Sequence, residues 1–116
     1  MVFQVAGGCG LGALEAARES KVWGIGVDVD QSYLGSSILT SALKRWDNAV
    51  FQTVRRLQAG TLPGGGDVVF TFRGGDLALG RVSPAVPRSI LVRIGRVERA
   101  LAAGRIRAIP SRPFVG

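Results

Sequence analysis

The sequence contains no histidine and only one cysteine, Cys9, in 116 residues. Without histidine, a Ser-His-Asp or Cys-His catalytic unit is excluded within this chain, and a protein-only zinc site is nearly excluded. One cysteine excludes an internal disulfide framework. No apolar run approaches the roughly 20 residues of a membrane-spanning helix, and MVFQVAGG at the start lacks the features of a signal peptide. We therefore expect neither a bound metal nor an export signal in this chain.

Acidic residues are nearly absent from the last third of the sequence. Residues 1–80 carry seven basic and seven acidic side chains, whereas residues 81–116 carry eight arginines and one acid, Glu98, which accounts for the net charge of +7. The eight are Arg81, Arg88, Arg93, Arg96, Arg99, Arg105, Arg107 and Arg112. Such a segment attracts nucleic acid or an anionic membrane face, or it is the solvated face of a helix. Since no aromatic residue is interleaved before Phe114, we expect no sequence-specific nucleic-acid binding.

The order of apolar and polar residues predicts one α/β domain with a mainly parallel sheet. Residues 2–6 are predicted to form a buried strand, residues 11–20 a short helix and residues 21–30 a second buried strand, the order and length of one βαβ unit. Apolar residues at helical spacing predict further helices at 45–59 and 89–103. With 47% hydrophobic residues, the chain has enough apolar side chains for a core.

The remaining segments are less regular. LTSALK at 39–44 fits either a strand or the entry to a helix. DVVFTF at 67–72 is predicted as a strand, and three of its side chains are expected in the core: Val69, Phe70 and Phe72. Residues 73–87, broken by glycine and proline, predict a hairpin or an irregular excursion.

Four glycines fall within residues 7–12, between the first strand and the first helix. Gly8, Gly10 and Ala13 fit the dinucleotide fingerprint G-x-G-x-x-G/A, and Asp28 lies twenty residues after Gly8. An acidic residue there would bind ribose hydroxyls. The pattern therefore supports an NAD-binding half-domain of an oxidoreductase. The same glycines fit a tight strand-to-helix turn that needs positive φ and close packing.

Charged side chains follow the predicted second strand and the segment after it. Asp28 and Asp30 fall at the carboxyl end of the strand, where a carboxylate can accept hydrogen bonds from the vicinal hydroxyls of a ribose or free sugar. We expect only one of the two aspartates to face a crevice there, and either is equally a loop-capping aspartate. Lys44 is a lone cation that either donates to a ligand oxygen or is solvated.

Three further side chains are predicted to be structural. Cys9 is interpreted as a small space-filler, because no base or second cysteine accompanies it. Trp23 and Trp46 lie in strand and helix patterns, which favours core packing over ligand stacking.

Three motifs in a fixed order carry a family resemblance. They are AGGCGLG at 6–12, GIGVDVDQSYL at 24–34 and LTSALKRWDNAV at 39–50, with GTLPGGG at 60–66 and VSPAVP at 82–87 behind them. Together they resemble the C-terminal lobe of the basic membrane protein family, the purine nucleoside receptor-like substrate-binding lipoproteins of ABC importers. The resemblance covers most of the chain.

The resemblance implies a type I periplasmic-binding-protein fold, in which two Rossmann-like lobes close on a nucleoside without catalysis or a cofactor. It implies that Gly7 and Gly8 line the cleft, that Asp28 accepts the ribose hydroxyls, and that Lys44 is a second cleft residue. It also implies an ABC permease and ATPase as partners, and an extracytoplasmic protein that is membrane-anchored or periplasmic.

The N-terminal lobe, the lipoprotein signal and the start of the C-terminal lobe are expected to lie outside this chain. We therefore expect a single truncated C-terminal lobe over residues 1–116: a cleft-lining βαβ-type part at 1–66, strands and a terminal helix at 67–104, and a loose basic tail at 105–116. Such a half-cleft is expected to bind nucleosides weakly or not at all. Self-association through the unpaired sheet edge at residues 2–6, or a partner chain, would complete it.

Overall fold

A four-stranded, mostly parallel sheet organises the computed structural model, which describes residues 1–106. The strands, in sheet order, are β1 (Val2–Phe3), β2 (Gly24–Asp28), β3 (Ile38–Lys44) and β4 (Leu77–Leu79). The helices are α1 (Gly10–Glu19), α2 (Trp46–Gln58) and α3 (Arg88–Ala102). β1, β2 and β3 run parallel, and β4 is antiparallel to β3. The α/β class with a mainly parallel sheet is thus confirmed.

The predicted βαβ unit forms from β1, α1 and β2. Leu14 and Ala17 are buried at 2% and 4% exposure, because helical spacing places both on the side of α1 that faces the sheet. A side chain on Gly24 would lie within 2.8 Å of Leu14 Cδ2, so the glycine lets the helix approach β2 closely. The unit sets the carboxyl ends of β1 and β2 at one edge of the sheet.

The first strand is shorter and more exposed than predicted. Only Val2 and Phe3 pair with β2, and β1 is an edge strand of the sheet. Phe3 and Val5 are 54% and 69% exposed, so the expectation of a buried strand over residues 2–6 was wrong. Cys9 is exposed as well, and therefore does not fill space in the core.

The helix predicted at 45–59 is confirmed as α2, but its apolar side is open. Trp46, Val50 and Leu57 are 56%, 62% and 65% exposed, and only Ala49 is buried in the helix. Trp46 and the half-exposed Trp23 are therefore not core residues, contrary to expectation. Helical periodicity identifies an apolar side, whereas burial depends on what packs against it, and the rest of residues 1–106 leaves Trp46, Val50 and Leu57 more than half exposed.

Residues 67–72 do not form the predicted strand. The segment runs without strand pairing into a 3-10 turn at Phe72–Gly74, and Val69 is 78% exposed. Asp76, buried at 7% exposure, holds the turn: its Oδ2 accepts from the backbone N–H of Thr71 at 2.9 Å, and its Oδ1 from Nδ2 of Asn48 at 2.7 Å. The first of these bonds satisfies the Thr71 N–H, a backbone group that a strand would pair with its neighbour.

The last predicted helix is confirmed as α3, and it ends before Gly104, whose φ is +65°. An apolar groove of about 750 Å³ lies between α3 and the sheet, lined by Phe3, Val27 and Ile94 among others. Of the tail expected at 105–116, residues 107–116 lie outside the described residues. No helix within residues 1–106 has the length and apolar character needed to cross a membrane.

An exposed ion pair at the start of α2 gives a pH-dependent prediction. Arg45 Nη2 lies 2.9 Å from Asp47 Oδ2, and this hydrogen-bonded guanidinium, together with the backbone N–H of Asn48, lowers the pKa of Asp47 from 3.8 to about 2. Because the pKa of Asp47 is depressed in the folded state, the pair's contribution to folding stability is complete above the pKa of the unfolded chain. This contribution is lost as the pH falls through about 2.

We expect carboxyl NMR at about pH 3, below the usual aspartate pKa of about 3.9, to show Asp47 mostly ionised. In an Arg45→Gln variant a larger fraction of the same group should be protonated, because the guanidinium is the largest cause of the lowered pKa. An Asp47 titration that is identical in the two proteins would contradict the prediction.

Candidate functional site

The site predicted from the sequence lies along one edge of the sheet. Because β1, β2 and β3 are parallel, their carboxyl ends lie at the same edge, where ligands bind in open α/β sheets. Gly7 and Gly8 follow β1, Asp28 ends β2 and Lys44 ends β3. The fold thus places all four at this edge, which we call the carboxyl edge.

Asp28 and Lys44 form an ion pair there. Nζ of Lys44 lies 2.8 Å from Oδ1 of Asp28, and the side chains are 47% and 37% exposed respectively. Oδ1 itself is buried and has no hydrogen-bond donor in good geometry, so the contact is mainly electrostatic. A half-exposed pair adds only about 0–1 kcal/mol to stability. Its chemical consequence is a fixed carboxylate beside a fixed ammonium, an acceptor and a donor for one polar ligand.

The backbone of Asp28 is unusual. Its φ is +71°, in the left-handed region that few residues other than glycine adopt. Aspartate and asparagine enter this region more readily than other side chains, at a cost of about 1–2 kcal/mol. Such conformations cluster at ligand sites, where the surrounding structure maintains them.

Trp46 adds an aromatic surface beside this pair. Nζ of Lys44 lies 5.7 Å from the centroid of the Trp46 ring, within range of a cation–π interaction. The exposed indole could not be located at this edge by reasoning from sequence, because its spacing within α2 matched that of a core residue.

Asp30 is directed elsewhere. Its Oδ1 accepts from the backbone N–H of Ser32 at 3.1 Å, and its Oδ2 accepts from the Ser32 hydroxyl at 3.2 Å and from the Arg81 N–H at 3.3 Å. Asp30 therefore caps the loop after β2 and links it to the chain after β4. Only one of the two aspartates therefore belongs to the pair at the carboxyl edge. Alternation within a strand would place residues 28 and 30 on the same side, but β2 ends at Asp28, whose φ of +71° turns the chain before Asp30.

The glycines of the loop have different roles. Gly7 has a φ of +53°, and a side chain at Gly7 or Gly8 would meet no protein atom within 4 Å. A side chain at Gly10, in contrast, would overlap the Gln4 amide. Gly10 is thus required for packing, whereas the space at Gly7 and Gly8 is free for a ligand. No side chain caps the 3-10 turn at Gly7–Cys9 or the start of α1.

A buried polar network holds the loop in place. Gln4, Gln31 and Ser41 are buried at 5%, 7% and 0% exposure. Oε1 of Gln4 accepts from the Ala6 N–H at 3.0 Å, and Nε2 of Gln4 donates to Oε1 of Gln31 at 3.2 Å. Oε1 of Gln31 also accepts from the Val27 N–H at 3.0 Å, and the Gln31 N–H donates to Oγ of Ser41 at 3.0 Å. The network could not be predicted from the sequence, where its only signal is a polar residue inside each of two apolar strand patterns.

Other cavities are less suited to a polar ligand at this edge. A cavity of about 930 Å³ lies near the amino ends of β2 and β3, lined by Trp23, Tyr33 and Ser37 among others. It is at the opposite edge from Asp28, so we do not place the ligand there. Within residues 1–106, no group of acidic or cysteine side chains is placed to hold a metal ion.

Comparisons with known proteins identify the family of this chain. The model of the family of PnrA-like ABC transporter substrate-binding proteins matches residues 1–90. The chain is 33% identical over 98 residues to the ABC transporter nucleoside-binding protein BmpA of Lactococcus lactis subsp. cremoris, covering 69% of this chain and 28% of that protein.

Solved structures show the same fold. A transcriptional activator of the comK gene from Bacillus halodurans has a TM-score of 0.81 at 27% identity, over 91% of this chain and 38% of that one. An ABC transporter solute-binding protein from Aeropyrum pernix has a TM-score of 0.74 at 18% identity, over 97% of this chain and 40% of that one. The chain thus spans between 28% and 40% of the length of these proteins. With the family model matched over most of its length, the chain belongs to the family of PnrA-like ABC transporter substrate-binding proteins.

Proposed function

We propose that this chain forms one wall of a nucleoside-binding cleft in the substrate-binding component of an ABC importer, with a purine nucleoside as ligand. The observation that carries the proposal is the Asp28–Lys44 pair at the carboxyl edge, beside a glycine loop with free space. Vicinal ribose hydroxyls can donate to the carboxylate, and the ammonium can donate to a ligand oxygen. The Lactococcus relative is named as nucleoside-binding, which supports the same ligand class.

The chain is proposed to be part of the C-terminal lobe, with residues 1–66 lining the cleft. The opposite wall would come from polypeptide outside this chain, since the chain spans only about a third of its relatives. We further propose that the complete protein is held outside the cytoplasm at the membrane and delivers its ligand to a permease and ATPase without catalysing a reaction.

The dinucleotide alternative has weaker support. The fingerprint uses its second glycine to admit a pyrophosphate close to the backbone. Here that glycine is Gly10, and the Gln4 side chain fills the adjacent space. Asp28 remains available to bind a ribose, which either ligand contains.

Titration of the isotope-labelled chain, followed by amide NMR, tests the proposal. A half-cleft is expected to bind guanosine or inosine with a dissociation constant of about 1 mM, roughly 4 kcal/mol. Saturable shifts should appear at Gly7, Gly8, Asp28 and Lys44. Shifts with NAD but none with either nucleoside would overturn the proposal and favour the dinucleotide alternative.

A Gly8→Ala variant is expected to reduce nucleoside affinity about tenfold, because the added methyl group enters space reserved for the ligand. No protein atom lies within 4 Å of that methyl, so the stability of the fold should be unchanged. Gly12→Ala is the matched control: position 12 also has open space but lies inside α1. Equal affinities in these two variants would show that the loop does not contact the ligand.

A further inference from the structure

The outer side of α3 carries a row of exposed arginines. We define the arginine strip as Arg88, Arg96 and Arg99, which fall within about 80° of one another on a helix that turns about 100° per residue. Over residues 1–106, none of the three has a salt bridge or a side-chain hydrogen bond. At about 1.5 Å per residue, the strip is about 16 Å long.

The strip does not stabilise the fold. The partly buried Ile94 and Leu101 lie on the other side of α3, away from the strip. Glu98, the only acid after residue 80, lines the groove beside the sheet and does not neutralise the strip. Arg88 is the first residue of α3, where a positive charge opposes the helix dipole. The three charges are therefore free to meet an external anion.

We propose that the arginine strip is a docking surface for the anionic headgroups of a lipid bilayer. A row of charges within one sector of about 80° on the outside of a helix can face a flat surface. Residues 88–106 contain no aromatic side chain on which a nucleic-acid base could stack. The choice of a bilayer over nucleic acid rests on the proposed function, which places the protein at a membrane. Ile90, Ile94 and Val97 of α3 line the groove beside the sheet, and Val92, 53% exposed, is the one large apolar side chain among the arginines of the strip. Attachment is therefore mainly electrostatic and weakens with salt.

Vesicle sedimentation of the 116-residue chain, without nucleoside, tests this docking surface. We expect binding to phosphatidylcholine vesicles containing about 30 mol % phosphatidylglycerol, and none to phosphatidylcholine alone. Each basic residue near an anionic surface contributes about fivefold to vesicle affinity. The triple variant Arg88→Gln, Arg96→Gln, Arg99→Gln should therefore bind the vesicles roughly 100-fold more weakly. Replacing the same three arginines by lysine should retain binding.

A second triple variant is the matched control. Arg55→Gln, Arg56→Gln and Arg73→Gln remove the same charge from exposed arginines on α2 and the Phe72–Gly74 turn. This variant should bind within about threefold of the unmodified chain, because its arginines lie outside the strip. Equal losses in both glutamine variants, or no loss in the strip variant, would overturn the proposal.

Two further measurements make the outcome decisive. Tighter binding to duplex DNA than to the anionic vesicles at the same salt would assign the strip to nucleic acid instead. Glutamine has nearly the helix propensity of arginine, so circular dichroism of the strip variant should show α3 intact. If α3 is lost in that variant, the salt dependence of the unmodified chain decides the question, and binding that does not change with salt would overturn the proposal. The nucleoside titration is a separate experiment, so failure of the cleft and failure of the strip are distinguishable.

Discussion

An Asp28→Asn variant is expected to lose about 10- to 100-fold in nucleoside affinity while the fold stays intact. Hydrogen bonds to a charged group contribute about 1.5–3 kcal/mol each, and the amide keeps the shape of the carboxylate without its charge. Asparagine also tolerates the left-handed backbone, with φ of +71° at this position, so backbone strain does not confuse the result. In the NMR titration, the saturable shifts at Gly7, Gly8 and Lys44 should disappear.

Asp30→Asn is the control for this variant. It removes the same charge two residues along the chain, from a side chain that caps the loop after β2. Its remaining carbonyl oxygen can still accept from the Ser32 N–H, so the loop and the nucleoside affinity should both be maintained. A similar loss in both variants would mean that net charge attracts the ligand. An unchanged affinity in Asp28→Asn would remove Asp28 from the site.

Local patterns were sufficient to predict the helices. The predicted helices at 11–20, 45–59 and 89–103 each agree with the observed bounds to within one residue at either end. Helical periodicity is a property of neighbouring residues, and a glycine with positive φ, such as Gly60 at +65°, ends a helix without tertiary help. The parallel pairing of β1 and β2 also followed, since a βαβ connection imposes it.

Burial could not be predicted in the same way. Apolar spacing along a helix or strand shows which side would be buried if another element packed there. Actual burial requires that second element. Trp46 fitted the pattern of a core residue, but its indole is 56% exposed, with the Lys44 ammonium 5.7 Å from the centroid of its ring. Residues 67–72 have strand-like composition, but a strand also needs a neighbour with which to pair, and Asp76 offered the backbone another partner.

The candidate site depends on strand register. Asp28 lies opposite Leu43 in the β2–β3 pairing, which puts it next to Lys44, and a register shift between Gly24 and Ile25 contributes to this alignment. The sequence and the family resemblance pointed to both residues separately. Neither could provide the 2.8 Å ion pair, because the irregularity that sets the register has no signature in the residues themselves.

A Gly26→Ala variant is expected to lower the free energy of unfolding by about 3 kcal/mol. Gly26 lies in the middle of β2, and an added methyl group would sit 2.5 Å from Oε1 of Gln31 and 2.6 Å from Oγ of Ser41. Gln31 cannot simply withdraw, because the same Oε1 accepts from Val27 and Gln4. The methyl group must therefore either strain the strand or leave buried polar groups without partners, and each costs about 1–3 kcal/mol.

Gly12→Ala provides the matched comparison in chemical denaturation. Both variants replace a glycine by alanine, so they restrict the unfolded chain similarly and this contribution cancels. At position 12 the methyl group meets open space in α1, and the variant should gain up to about 1 kcal/mol from helix propensity. A difference of about 4 kcal/mol between the two variants is then expected, of which about 3 kcal/mol reports the packing of the buried network against β2 and about 1 kcal/mol the helix propensity gained at position 12. If Gly26→Ala were as stable as Gly12→Ala, the network would have moved aside. The Ala6 N–H, which Gln4 holds in the loop, would then report that movement as a changed amide shift.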